Sequence, residues 1–269
     1  MKLLIIAGVL VAAAFVAKAA RADDAAARKE LAPSGRMRVA IAVGPAPSGI
    51  FVIKDEASGK YRGVTIDLSA ALAEKLGVEI DYVPYLGSGE IQGAAGKDAW
   101  DVSFMPVDEE RKKFVDFGSP YHLLQSTYLV APGSAIQTVA DADKAGVRIA
   151  GVKDTATLRA SNKASPSATH TALAGVDAAI ELMRTGQVDA IALGRASLGG
   201  VAAKIPGSRI LEGNFLNSTT AVAVPKGKPE ALAYVSAFIE EAKASGLVRR
   251  ALDDIGLKNE QVAPAGMKP

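Results

Sequence analysis

The chain has 269 residues, 49% hydrophobic and 22% charged, an ordinary globular mixture with enough apolar material for one large or two medium cores. It has no cysteine and only two histidines, His122 and His170, so a disulfide framework is excluded and no metal site is expected. The formal charge of +2 becomes −1 once Lys2, Lys18 and Arg21 are set aside, leaving 28 basic against 29 acidic residues and no electrostatic footprint for nucleic acid.

At the N-terminus Lys2 precedes an unbroken apolar run from Leu3 to Val16, then small residues ending in Ala20-Arg21-Ala22. A basic start, an apolar middle and an A-x-A site describe a secretory signal peptide cut after Ala22. The rival, a membrane anchor, needs about 20 apolar residues, more than this run supplies. Residues Asp23 to Gly35 read as a flexible lead-in to an exported, periplasmic protein.

From Arg36 strand-like and helix-like segments alternate. Met37 to Val43 is apolar and ends at Gly44-Pro45-Ala46-Pro47, as a buried strand would. A helix opening at Thr65 or Asp67 carries Leu68, Leu72 and Leu76 at four-residue spacing, with Gly77 placed for a left-handed C-cap. Val78, Ile80 and Tyr82 alternate with acids, as in a half-buried strand. A second series follows: a strand over Val147 to Val152, a helix over Asp177 to Thr185 and a strand over Val188 to Leu193. Pro229 suits the first turn of a long helix that Gly246 ends. The alternation indicates an α/β class with mostly parallel sheets flanked by helices. No internal repeat is evident.

Tyr128 to Pro132 and Ala221 to Pro225 are short apolar runs broken by Pro and Gly, and read as two hinge strands between lobes. The first lobe is then discontinuous, residues 36–130 plus 222–269, and the second is the insert 131–221. A ligand would sit in the cleft between them, a favoured place for small molecules.

In this order and spacing, certain segments resemble the amino-acid-type (family 3) solute-binding proteins of ABC transporters. They are Met37-Arg38-Val39-Ala40-Ile41, Phe51 to Asp55, Gly59 to Gly63, Ile66-Asp67-Leu68, Asp108 to Phe117, Ser119-Pro120-Tyr121, Gly151 to Thr155 and Gly186 to Ala190. The resemblance spans nearly all of residues 36–257. It implies a two-lobed, type II periplasmic-binding-protein fold and a small, amino-acid-like carboxylate ligand. It also implies an ABC permease partner in the inner membrane, no cofactor, no catalysis and a monomer.

The resemblance also implies site residues. Arg111 would clamp the ligand carboxylate, since a guanidinium offers a planar fork of donors that lysine lacks. From the charge run alone, Arg111 reads equally as one more charge on a solvated face beside Glu109, Glu110, Lys112 and Lys113. Ser103 and the backbone around Met105 would donate to the same carboxylate, although Pro106, in a place often held by Ser or Thr, has no N–H to give. Thr155 would receive the ligand at a helix N-terminus, or serve only as a cap. Phe51 and Ser88 occupy positions near the cleft. Many relatives place an acid for the ligand's α-ammonium where this chain has Gly194, followed by Arg195. Either Arg195 points away, or it joins Arg111 in holding an anion without an amine or with a second acid. An enzyme on the same scaffold, such as a dehydratase of a cyclic carboxylate, would need a general acid, for which Glu90 is the nearest candidate in sequence. A sensor subunit would use the same pocket with a different partner.

Overall fold

The computed structural model describes residues 24–43, 48–55 and 57–269, so the expected signal peptide lies outside the described residues. Residues 24–31 form a helix, α1, where a flexible lead-in was expected. Its Ala27 and Leu31 are buried in the core of the first lobe. The Glu30 carboxylate accepts a hydrogen bond from the Ala231 N–H at 2.8 Å, satisfying a free donor in the first turn of a later helix. The surface that orders α1 comes from the far end of the chain, so local sequence carries no sign of it.

The first lobe begins with β1 (Arg36–Ala42), a small hairpin of β2 (Ile53–Lys54) and β3 (Tyr61–Arg62), and α2 (Val64–Leu76). Then come β4 (Glu79–Tyr85), α3 (Ser88–Ala94), β5 (Val102–Pro106) and a single 3-10 turn at Arg111–Lys113. Gly63 opens α2 at φ 130°, where a Cβ would lie 2.5 Å from the Phe51 carbonyl oxygen, so only glycine fits. Gly77 closes α2 in the left-handed conformation, as its position suggests.

A strand of 16 residues, β6 (Val115–Val130), leads into the second lobe. That lobe holds β7 (Arg148–Val152), α4 (Ala156–Ala164), β8 (Thr169–Leu173), α5 (Val176–Arg184), β9 (Ala190–Gly194), α6 (Arg195–Ala203) and β10 (Arg209–Ile210). The chain returns through β11 (Leu216–Pro225) to α7 (Pro229–Ala244) and α8 (Leu247–Asp254), which cover the first lobe.

The main sheet runs β4-β1-β5-β11-β6-β9-β7-β8, with β10 paired to β6. Parallel trios stand at each end, β1 between β4 and β5, and β7 between β9 and β8. The antiparallel pair β6–β11 joins them. Apolar clusters fill both faces of each trio. In the first lobe Leu68, Leu72, Val235 and Ile239 pack on one face, while Ile91, Trp100 and Met105 pack on the other. Ile180, Ile191 and Val201 belong to one cluster of the second lobe, Tyr128, Ile149 and Leu211 to another.

The hinge pair is longer than the two short runs expected to cross. Tyr128 to Val130 already pair with β9 in the second lobe, and Thr220 to Ala223 already pair with β5 in the first. The strands change neighbours between Leu124 and Ser126 and between Leu216 and Thr220, with no turn residue to mark the point.

The lobes also share a clasp that sequence inspection does not reveal. Asp101, just before β5, takes the Arg38 backbone N–H, Nε and Nη2 at 2.9, 3.0 and 2.7 Å. Asp189, just before β9, takes the same three donors of Arg148 at 2.9, 3.0 and 2.7 Å. Each aspartate thus ties the start of its lobe's central strand to the strand beside it.

Candidate functional site

The carboxyl ends of the parallel strands in both lobes face one another, the place where open α/β sheets present their ligands. Between them lies a cavity of about 170 Å³. The first lobe contributes Ser48 after β1, Leu86 to Ser88 after β4, and Phe104, Pro106 and Arg111 at the end of β5. The second lobe contributes Thr155 after β7, Ala174 to Val176 after β8, and Leu193, Gly194, Ala196 and Ser197 around the end of β9. Leu124 of the hinge and Phe51 complete much of the wall.

Arg111 is the charged group among the described lining residues, and it is fully buried while Glu109, Glu110 and Lys113 are exposed and Lys112 is half-buried. Glu109 pairs with Lys112 at 3.0 Å and Glu110 with Lys113 at 2.7 Å, leaving Arg111 to turn inward from its single turn. Its backbone N–H donates to Asp108 Oδ1 at 3.0 Å, Nη1 to the Pro106 carbonyl at 2.8 Å and Nη2 to Ser88 Oγ at 2.6 Å. Nε has no hydrogen-bond partner among the described residues. Asp108 Oδ2 stands 3.8 Å from it, beyond hydrogen-bond range, and is engaged by Arg159 from the second lobe. Burial pulls the Arg111 guanidinium down to about 10; Asp108 acts against this and Arg159 adds to it. A desolvated guanidinium with an unmet donor at a strand-end cavity has the chemistry to accept a carboxylate or similar anion.

The other expected site residues divide. Ser88 lines the cavity and steadies Arg111 through its hydroxyl. Phe51 lines it as well. Thr155 both lines the cavity and caps α4, its Oγ1 accepting from the Leu158 N–H at 3.1 Å and donating to the Val152 carbonyl at 2.8 Å. Ser103 and Met105 are buried but stand apart from the cavity lining. The Ser103 hydroxyl donates to the Ala40 carbonyl at 2.9 Å, and Met105 packs with Ile91 and Trp100. Their alternate neighbours Phe104 and Pro106 face the cavity instead. Arg195 also stands outside the lining: its guanidinium donates to Asn214 Oδ1 and to the carbonyls of Leu211 and Gly213 at 2.6–3.1 Å. Arg195 is thus held by an amide and carbonyls rather than by the surface acid expected were it to point away. Glu90 is turned outward, its carboxylate accepting from the Leu86 N–H at 2.9 Å.

Ser48, Phe104, Thr157 and Ser197 enter the lining without a sequence signal. A larger groove of about 840 Å³ follows the hinge strands, α4 and the C-terminal residues. The acids at its edge, Glu109 and Glu110, are paired and exposed, whereas the smaller cavity holds the buried, under-paired cation. We therefore place the site in the smaller one. Among the described residues no group of three His, Cys, Asp or Glu gathers as a metal site, and no helix is long and apolar enough to cross a membrane.

Two lobes on a crossing strand pair, with facing strand ends around a buried arginine, define a protein that encloses a small solute. Residues 38–255 match the family of bacterial extracellular solute-binding proteins, family 3, and the chain belongs to it. The chain is 29% identical over 177 residues to the glutamine-binding protein of Geobacillus stearothermophilus, covering 62% of this chain and 64% of that one. It is 26% identical over 208 residues to the ABC transporter glutamine-binding protein GlnH of Bacillus subtilis (strain 168), covering 73% of each. Among solved structures, a mutant of ArgBP from T. maritima superposes with a TM-score of 0.73 at 25% identity, over 85% of this chain and 98% of its own. The ancestral amino acid-binding protein AncCDT-1, a precursor of cyclohexadienyl dehydratase, does so with a TM-score of 0.73 at 28% identity, over 84% and 97%.

Proposed function

We propose that this protein captures a small carboxylate-bearing solute of amino-acid size between its lobes and delivers it to an ABC permease. It would work as a monomer in the periplasm, after export on its N-terminal segment. The observation that carries this reading is Arg111, fully buried at the facing strand ends with Nε unpartnered. The names of the glutamine-binding relatives support transport of an amino-acid-like ligand. We draw the lobe boundaries near Ser126 and Leu216, where strands exchange neighbours, rather than at 130 and 222.

Closure would follow hinge bending of β6 and β11, with ligand favouring the closed state because only there do both lobes touch it. Enzymatic turnover, suggested by the dehydratase lineage of one structural relative, finds no general acid among the described lining residues. A sensor would share the pocket and differ only in its membrane partner.

The test is a thermal-shift screen of amino acids, oxo acids, dicarboxylates and aromatic acids against wild type and Arg111→Met. A ligand at 100 times its Kd adds about 2.7 kcal/mol to stability, a readily measured rise in Tm. We expect at least one carboxylate to stabilise wild type and none to stabilise the variant. Hits confined to uncharged or cationic compounds, or kept by the variant, would overturn the carboxylate clamp.

A further inference from the structure

The charge balance of the cavity narrows the ligand further, a step that rests on Arg111 as the carboxylate clamp. No Asp, Glu or His stands among the described lining residues. Between β1 and β3 the residues outside the described ones are Gly44-Pro45-Ala46-Pro47, which carry no ionisable side chain, and Glu56. Of the nearby acids, Asp108 is engaged by Arg159 and the Arg111 backbone and Glu90 by the Leu86 N–H, while Asp154, against Gly89 at the cleft edge, stands outside the lining. Arg111 and Arg159 thus share one carboxylate, leaving a single positive charge over. One monoanion neutralises it. A dicarboxylate would leave a buried negative charge, and a zwitterion would leave the positive one uncompensated.

The hydroxyls do not make up for a missing acid. Ser88 accepts from Arg111, Thr155 both donates and accepts within its own loop, and Thr157 pairs with Ser126 at 3.1 Å. An ammonium enclosed here would meet neutral oxygens at most, beside a guanidinium of the same sign. Ser48 and Ser197 add two further neutral hydroxyls, and the rest of the wall is apolar, including Ile50, Phe51, Leu86, Phe104, Leu124 and Leu193. At about 170 Å³ the cavity is small, which favours a short body beyond the carboxylate.

We infer that the ligand is a short monocarboxylate with an apolar body and no ammonium group, such as an aliphatic, α-oxo or α-hydroxy acid. Its carboxylate meets Arg111, and its body lies against the leucine and phenylalanine wall. The glutamine-binding relatives share the fold, while this lining lacks the acid that an ammonium requires.

Titration calorimetry on the purified protein with matched pairs decides the matter: pyruvate against alanine, and the α-oxo acids of valine and leucine against those amino acids, with succinate as a dicarboxylate. At least one oxo acid should bind about 100-fold or more tightly than its amino partner and than succinate, and Arg111→Met should abolish its binding. An amino acid that binds as tightly as its oxo partner, and loses binding in Arg111→Met, would overturn the amine-free ligand and leave the carboxylate clamp standing. Binding that survives Arg111→Met would overturn the clamp itself. If no member of the pairs binds, the short monocarboxylate is wrong, and the wider screen above judges the clamp separately.

Discussion

A guanidinium sealed from water and short of partners is costly to keep, and at Arg111 the cost appears as a pKa drawn down to about 10. Arg111→Met, which fills much of the same space without charge, should therefore raise the Tm of the ligand-free protein while removing carboxylate binding; a fall of several degrees would show that the arginine is mainly structural. The sign of the pH effect follows from the same shift. Below pH 10 the clamp is charged and affinity should be flat through neutrality; above it, affinity should fall about tenfold per pH unit as the cation is lost. Calorimetry from pH 7 to 11 checks this for any carboxylate ligand. Arg111, Ser88, Phe51 and Thr155 came into view only through the family resemblance, and all four stand in the described lining. Ser103 and Met105 were not separable from Phe104 and Pro106, because the four are successive residues of one strand and alternate between its faces. Only packing fixes which pair meets the cavity. The direction of Arg195 was likewise out of reach, since it depends on carbonyls in a loop sixteen to eighteen residues on.

Helices and strands followed their local patterns closely from β1 onward, as at α2 with its apolar stripe and Gly77 cap, or α7 with Pro229 in its first turn. What local pattern could not show were pairings between distant segments: α1 docked through Glu30, and the twin aspartate clasps. The two clasps should differ in strength because their surroundings differ. Asp101 is 4% exposed, so Asp101→Ala should cost about 2 kcal/mol through the lost hydrogen bonds to Arg38, which keeps its pair with Asp98. Asp189 is more open, and hydrogen bonds from Arg148 hold its carboxyl below the ordinary range. Its contribution is then present above the unfolded-state value near pH 4 and lost as pH falls through the lowered folded-state value. The Tm gap between wild type and Asp189→Asn should narrow as pH drops below about 4, and a constant gap would refute the linkage. At α4, Thr155→Ala should cost about 1 kcal/mol in denaturant unfolding, and Thr155→Ser should restore it, since the serine hydroxyl can cap equally well.

Across the whole molecule, the cleft faces touch at a few places that set how far the lobes can approach. Arg159 reaches Asp108 from one lobe to the other, and a Cβ on Gly89 of α3 would lie 2.5 Å from the Cβ of Asp154. Gly89→Ala should therefore prop the cleft open while favouring α3 itself, because alanine is the better helix former. We expect lower ligand affinity with no loss of Tm, and a larger radius of gyration by X-ray scattering in the presence of ligand; unchanged affinity would mean the contact does not limit closure. The two hinge strands carry a further consequence. Ser126 and Leu216 are direct partners across β6 and β11, so the chain leaves the first lobe and re-enters it at neighbouring points. The whole intervening segment is joined to the rest of the chain at one rung of the sheet, and a single cut-and-rejoin event there could exchange it intact. A graft from a relative would keep the Arg111 grip and replace Thr155, Val176 and Leu193, the part of the wall that reads the ligand's body. It would work only if it brought its own cation to meet Asp108, as Arg159 does. New selectivity could in this way arise by recombination, with the anion-gripping half left untouched.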